Sequence, residues 1–200
     1  MIKAVVFDLG KVLLDFDYGI AARKIAERAS MPANEIQRLI DGSPLLLRYE
    51  SAQMNAREFY DEVRAHTKFR GSFEDFAATF ADIFFEIPPM VRLHAALRER
   101  GIPTFILSNT NDIAIGHIRR NFPFFANFSG YVFSYEHAVL KPEAGIYEVA
   151  ERLAGGRAEE LVFIDDRLEN VEGAARLGWN TIWHRDPQAT TAALRSLMGT

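Results

Sequence analysis

Ile2-Lys3-Ala4-Val5-Val6-Phe7-Asp8-Leu9-Gly10 is a short apolar run, rich in β-branched residues, that stops on an acid and a glycine. Its length and composition read as a buried strand, with Asp8-Leu9-Gly10 as the turn beyond it. The pattern returns along the chain. Ile102 to Leu107 runs into Ser108-Asn109-Thr110-Asn111, Tyr131 to Phe133 into Ser134, and Leu161 to Ile164 into Asp165-Asp166. Thr181 to Trp183 is a last, shorter strand. Helical patterns lie between them. Val91 to Arg100 stops at Gly101, Glu143 to Leu153 follows Pro142 and stops at Gly155-Gly156, and Glu169 to Leu177 stops at Gly178. Thr190 to Met198 reads as a terminal helix capped by Thr190 or Thr191. Nearly wholly apolar strands alternating with helices predict an α/β fold with a parallel sheet covered on both faces.

The stretch from about Tyr18 to Glu86 breaks this rhythm. Ile20 to Ala29, Ala33 to Ile40, Ala56 to His66 and Phe73 to Phe84 are helical in pattern, and no strand is evident among them. The expectation is a helical insert, with Ile87-Pro88-Pro89 as the return hinge.

Ligands of open parallel sheets bind at the carboxyl ends of the strands. Here those ends carry Asp8, Ser108 and the Asp165-Asp166 pair, and Lys141-Pro142 precedes a helix. Two adjacent acids after a buried strand repel each other unless a cation or donors compensate. Hard oxygen ligands suit Mg²⁺. A metal with one lysine can neutralise a phosphoryl dianion, Ser108 and nearby backbone N–H groups can hold its oxygens, and a carboxylate such as Asp8 is a competent nucleophile. Each element alone is weak, because turns favour Asp and Ser anyway. The ordered set is the signal.

That set resembles the haloacid dehalogenase superfamily, mostly phosphatases, over nearly the whole chain. The matching motifs are Val5 to Leu13, Ile106-Leu107-Ser108-Asn109-Thr110, Leu140-Lys141-Pro142-Glu143 leading into Ile146-Tyr147, and Val162 to Ala174. The resemblance implies a Rossmann-like core from residues 1–16 and 87–200, with an all-helical cap at 17–86. It implies Asp8 as nucleophile, and Mg²⁺ held by Asp8, the Gly10 carbonyl and Asp166. It places Asp165 and Asn170 in support. Ser108, Asn109 and Lys141 would bind the phosphate, with Lys141 also orienting Asp8.

One position departs from the family pattern. Most of its phosphatases carry a second Asp two residues past the nucleophile, as general acid and base, and here that residue is Gly10. General acid–base help is worth about 10²–10⁴ in rate. Either the substrate has a good leaving group, or another residue, such as one of the cap, supplies the proton, or the protein is a poor catalyst or a binder. An acid restored at Gly10 is expected to raise turnover on poor leaving groups. The Asp-Leu-Gly form with the Asp-Asp fourth motif is similar to the branch containing α-glucose-1-phosphate phosphatases, whose anomeric leaving group depends less on an acid. The implied activity is Mg²⁺-dependent hydrolysis of a small phosphorylated metabolite such as a sugar 1-phosphate. The alternatives are a 2-haloacid dehalogenase, against which the two acids of the fourth motif weigh, and a non-catalytic binder of a phosphorylated metabolite.

Asp15 and Asp17 read as a hinge with a helix cap at Asp17, or else as groups that position a sugar hydroxyl or supply the missing proton. Arg48, Tyr49 and Glu50 are candidate selectivity residues of the cap. The five histidines show no metal-ligand spacing, and Phe122, Phe124, Phe125 and Phe128 read as packing under a loop or else as a subunit contact. The absence of cysteine excludes disulfides and thiolate chemistry. A net charge of −4 without a basic block argues against nucleic acid. No apolar run approaches the ~20 residues of a membrane span, and the first residues lack a signal-peptide layout. The expectation is a cytosolic protein, monomer or homodimer.

Overall fold

A computed structural model of the protein describes residues 2–199. Along the chain, β1 (Ala4–Phe7) leads to β2 (Leu14–Phe16) and then to five helices: α1 (Tyr18–Ala26), α2 (Ala33–Ile40), α3 (Pro44–Glu50), α4 (Ala56–Thr67) and α5 (Phe73–Ala81). After them come β3 (Phe84–Glu86), α6 (Pro88–Glu99), β4 (Thr104–Ser108), α7 (Asp112–Asn121), β5 (Gly130–Phe133) and the short α8 (Ser134–His137). The chain closes with α9 (Ala144–Ala154), β6 (Leu161–Asp165), α10 (Leu168–Arg176), β7 (Asn180–Trp183) and α11 (Pro187–Met198).

The main sheet has the order β5-β4-β1-β6-β7, and every pairing in it is parallel. Side chains alternate across a strand, so the apolar runs supply two cores. Val5, Phe7, Ile106, Val162 and Ile164 pack with Met90, Leu97, Ile115, Ile118 and Leu194 on one face. Ala4, Val6, Leu107 and Phe163 pack with Ile146, Tyr147, Ala150 and Trp179 on the other. This is the α/β architecture with helices on both faces that the strand pattern predicts. Because β1 lies between β4 and β6, the strand order switches direction beside β1. Asp8 and the Asp165-Asp166 pair therefore emerge side by side, and the Asp8 N–H donates to the Ile164 carbonyl at 2.8 Å.

Helices α1 to α5 enclose an apolar core of their own, built around Ile25, Ile36, Tyr49, Phe59, Phe76 and Phe80. Local sequence explains their ends. Ser43 caps α3, and Asn55 with Glu58 and Ser72 with Asp75 form capping boxes on α4 and α5.

Four expectations need correction. The insert is bounded by strands: β2 pairs antiparallel with β3, Asp15 opposite Phe85. Each is three residues long and partly exposed, too short for a period to show. The helix expected to reach Phe84 accordingly stops at Ala81. Helices α3 and α7 were not anticipated, although Asn111 capping Ala114 N–H and the buried Ala114, Ile115 and Ile118 mark α7. The last helix starts at Pro187 under an Asp186 cap. Thr190 is buried instead, with its hydroxyl 2.7 Å from His184 Nδ1.

Candidate active site

Asp8 is 7% exposed at the end of β1. Its Oδ1 accepts from the Leu9 N–H at 2.7 Å and from Lys141 Nζ at 2.8 Å. Lys141 also donates to Asp165 Oδ2 at 2.6 Å and to the Leu107 carbonyl at 3.0 Å. An ammonium has three N–H bonds, so all are engaged. Burial works against the charged lysine, but Asp165 and Asp8 outweigh it and raise its pKa above that of a free lysine. In this state Lys141 orients Asp8, and a contact to phosphate requires one of its three bonds to be exchanged.

Asp165 is fully buried, and both its oxygens are occupied. Oδ1 accepts from the Arg167 N–H at 2.8 Å, and Asn170 Nδ2 lies 3.1 Å from each oxygen. Asn170 is itself held through its carbonyl by the Tyr147 hydroxyl at 2.8 Å. The pair therefore fixes Lys141 from behind. Asn109 does the same from the side: its amide oxygen accepts the Lys141 N–H at 2.8 Å and its amide nitrogen donates to the Lys141 carbonyl at 3.0 Å. The sequence expectation placed Asn109 on the phosphate. Here its side chain is committed to the lysine backbone. Ser108 is 3% exposed, and among the described residues its hydroxyl reaches just the Asn109 carbonyl, at a long 3.5 Å.

These groups open into a cavity of about 220 Å³ whose walls include Asp8, Gly10, Ser108, Lys141 and Asp166 from the sheet side. Phe16, Tyr18, Asp41, Leu46, Leu47 and Glu50 line it from the insert side. Asp15 and Asp17 take the structural roles: Asp15 binds Lys11, and Asp17 accepts the Gly19 N–H at 2.7 Å as the α1 cap. Asp8 is raised to about 7, first by burial and then, against the lowering effect of Lys141, by Asp165 and Asp166. Asp166 is raised by burial and by Asp165. Glu50, half-buried, is raised to about 7 by burial and then by Asp8, with Arg167 and Lys141 opposing. The pocket thus holds more negative charge than its one buried lysine balances.

That imbalance fits a divalent cation. Asp8, Asp165 and Asp166 each present an oxygen within 4.8 Å of the others. Asp165 is saturated by its donors, which leaves Asp8 and Asp166. The Gly10 carbonyl, on the cavity wall, accepts no backbone hydrogen bond among the described residues. Two carboxylates, a carbonyl and room for water suit Mg²⁺.

A pH signature follows. An Asp8 carboxyl at about 7 in the folded state, against about 3.9 in an unfolded chain, stabilises the fold below pH ~4. That contribution is lost as pH rises through 7. Metal-free protein is expected to weaken across this window, and Mg²⁺ to restore it. The gain in Tm, about 5–10 °C at a hundredfold excess over Kd, should be large at pH 8 and nearly absent at pH 5. Thermal denaturation in Mg²⁺ and in EDTA measures it. Trp183, whose indole N–H donates to the Asp166 carbonyl at 2.8 Å, offers a fluorescence readout of the same binding.

Gly10 is constrained by its neighbour. A Cβ there would stand 2.8 Å from Phe16 Cε1. The Phe16 ring is held by Tyr18 at 5.6 Å, Phe84 at 6.1 Å and Lys11 Nζ at 4.6 Å. Overpacking costs about 1–3 kcal/mol, so Gly10→Ala should lower Tm by about 2–10 °C in thermal denaturation. Gly10→Asp meets the same contact, so any gain in turnover on poor leaving groups would come with a lower Tm.

Comparison with known proteins places this chain beside hydrolases. A family model described as haloacid dehalogenase-like hydrolase matches residues 2–178. The sesquiterpene phosphatase astK of Aspergillus oryzae is 25% identical, over 98% of this chain and 97% of its own. A HAD family enzyme of Bacteroides thetaiotaomicron, solved with magnesium and inorganic phosphate, superposes with TM-score 0.81 at 28% identity, over 92% of this chain and 95% of its own. A HAD-like family hydrolase from Porphyromonas gingivalis gives TM-score 0.83 at 25% identity, over 100% of this chain and 99% of its own.

Proposed function

The chain belongs to the haloacid dehalogenase-like hydrolases, and on that footing we propose that it is a Mg²⁺-dependent phosphatase acting on a small phosphorylated metabolite. One observation carries this reading: a lysine-fixed carboxylate (Asp8) shares the wall of one cavity with an acid (Asp166) and a carbonyl (Gly10) that have no cationic or hydrogen-bond partner, respectively, among the described residues. The comparison proteins support it, one being a phosphatase and another holding magnesium with inorganic phosphate.

Asp8 attacks phosphorus as the bond to the leaving oxygen breaks, giving an aspartyl-phosphate. Water then attacks phosphorus, the Asp8–phosphorus bond breaks, and inorganic phosphate leaves. Lys141 holds the carboxylate in orientation and keeps positive charge beside it, backed by Asp165, Asn170 and Asn109. The Ser108 hydroxyl faces no strong competitor and is available to a phosphoryl oxygen. Mg²⁺, held by Asp8, the Gly10 carbonyl and Asp166, would supply the charge that lets a dianion approach a carboxylate.

Residues 17–86 form the cap in this reading, closing the pocket with α1 and α3. A cavity of about 220 Å³ is below the ~300–1,000 Å³ of drug-sized sites, which favours a small substrate. Tyr18 and Asp41 provide polar groups for sugar hydroxyls, and sugar 1-phosphates are the leading class. Phosphate release from a metabolite panel tests this. Release should require Mg²⁺, stop in EDTA, and be faster for hexose 1-phosphates than for hexose 6-phosphates. No release from any compound, with halide release from chloroacetate instead, would return the protein to the dehalogenase reading.

A further inference from the structure

Breaking a phosphate ester at neutral pH expels an alkoxide unless its oxygen is protonated, and the water of the second step must lose a proton. The cavity wall holds few groups able to do this. Asp8 is the nucleophile. Lys141 is locked by three acceptors, Lys11 is bonded to Asp15, and Arg167 is paired with Glu169. Asp41 is exposed, with Gln37 Nε2 at 3.5 Å. Asp166 is the metal-side acid.

Glu50 differs from all of these. It lines the main cavity together with Asp8, and its carboxyl has no hydrogen-bond or ion-pair partner among the described residues. It also lines a smaller, 60 Å³ recess that reaches Gly10, Phe16, Ser108 and Asn109. Its position is pinned through the preceding residue. Tyr49 stacks on Phe59 with ring centroids 4.7 Å apart, and its hydroxyl donates to Asp112 at the start of α7. The last turn of the insert's α3 is thereby tied to the sheet domain directly beside the β4 end.

On the reading of this pocket as a phosphomonoesterase, we propose that Glu50 is the proton donor and acceptor of the reaction, delivered from the cap to the site that Gly10 leaves without an acid. As the Asp8–phosphorus bond forms and the ester bond breaks, the Glu50 carboxyl proton passes to the leaving oxygen, releasing an alcohol. The resulting carboxylate takes a proton from the water that attacks phosphorus. The Asp8–phosphorus bond then breaks, phosphate leaves, and Glu50 is again protonated. Tyr49 is a positioning residue for this step.

The experiment compares the full-length wild type with Glu50→Gln, Glu50→Asp and Tyr49→Phe in Mg²⁺. Each acts on an alkyl phosphate, which needs an acid, and on p-nitrophenyl phosphate, whose leaving group does not. For Glu50→Gln, kcat/KM on the alkyl ester should fall about 10²–10⁴-fold and on the aryl ester no more than about tenfold. The aryl ester should also show a burst of nitrophenolate, because the phosphoenzyme has lost its base. Glu50→Asp should regain part of the alkyl activity, and Tyr49→Phe should show a smaller loss with the same leaving-group dependence. Equal losses on both esters, or no loss on either, would overturn the role of Glu50 while leaving the phosphatase reading intact. A wild type inactive on both esters and on the metabolite panel would overturn the phosphatase reading, and this role with it.

Discussion

Asp8→Asn is expected to lower kcat by about 10⁴–10⁶-fold, the scale on which a lost nucleophile is felt, while leaving the fold intact. The amide keeps an oxygen for the Leu9 N–H and Lys141, which hold Oδ1 at 2.7 and 2.8 Å. What disappears is the negative charge that attacks phosphorus. That charge is also a burden on the metal-free fold, since burial, Asp165 and Asp166 all raise the Asp8 carboxyl. At pH 8 in EDTA the variant should therefore melt at the same temperature as the wild type or higher, and its Tm should gain much less from Mg²⁺. Beryllium fluoride with Mg²⁺ should form an acyl-phosphate mimic on the wild type and none on the variant. Turnover above about 1% of wild type, measured on the best substrate, would place the nucleophile elsewhere.

Lys141→Met is expected to be the most destabilising single change in the site. It removes the ammonium from between Asp8 and Asp165, at 2.8 and 2.6 Å, and leaves two buried carboxylates facing each other. Breaking a buried ion pair from one side costs about 3–5 kcal/mol, which for a chain of this size is a Tm loss of about 6–20 °C. The sign with pH is fixed by the survivors. Without the lysine, which lowers it, the Asp8 carboxyl takes up a proton more readily, so the deficit should be largest at pH 8 and shrink toward pH 5. Adding Asp165→Asn removes one unpaired charge and should recover part of the Tm without recovering turnover. Thermal denaturation of the single and double variants at both pH values measures this. A Tm loss independent of pH would show packing, not charge, as the cause.

Much of this site is legible in the primary structure because its parts are local. Asp8, Ser108 and Asp165-Asp166 each end an apolar run, and an apolar run of strand length points to the carboxyl edge of a buried sheet. Lys141 was marked by its place before a helix-opening proline, and Asn170 was found through motif resemblance. Their partners depend on the fold, which turns Asn109 onto the Lys141 backbone and gives Asp165 to the lysine. The α7 helix carried its own signals in Asn111 and the Ala114-Ile115-Ile118 spacing. β2 and β3 carried none, because three-residue strands owe their existence to a partner far away in the chain.

The amino-acid sequence by itself determined that five apolar strands alternate with helices, that one long helical stretch interrupts them, and that acids, a serine and a lysine stand at the strand ends. These follow from side-chain period and composition within a few residues. Tertiary structure alone decided that Phe16 fills the space beside Gly10, that Tyr49 reaches Asp112, and that Glu50 shares a cavity with Asp8. Those contacts join segments tens of residues apart, and no local propensity encodes a distance between them.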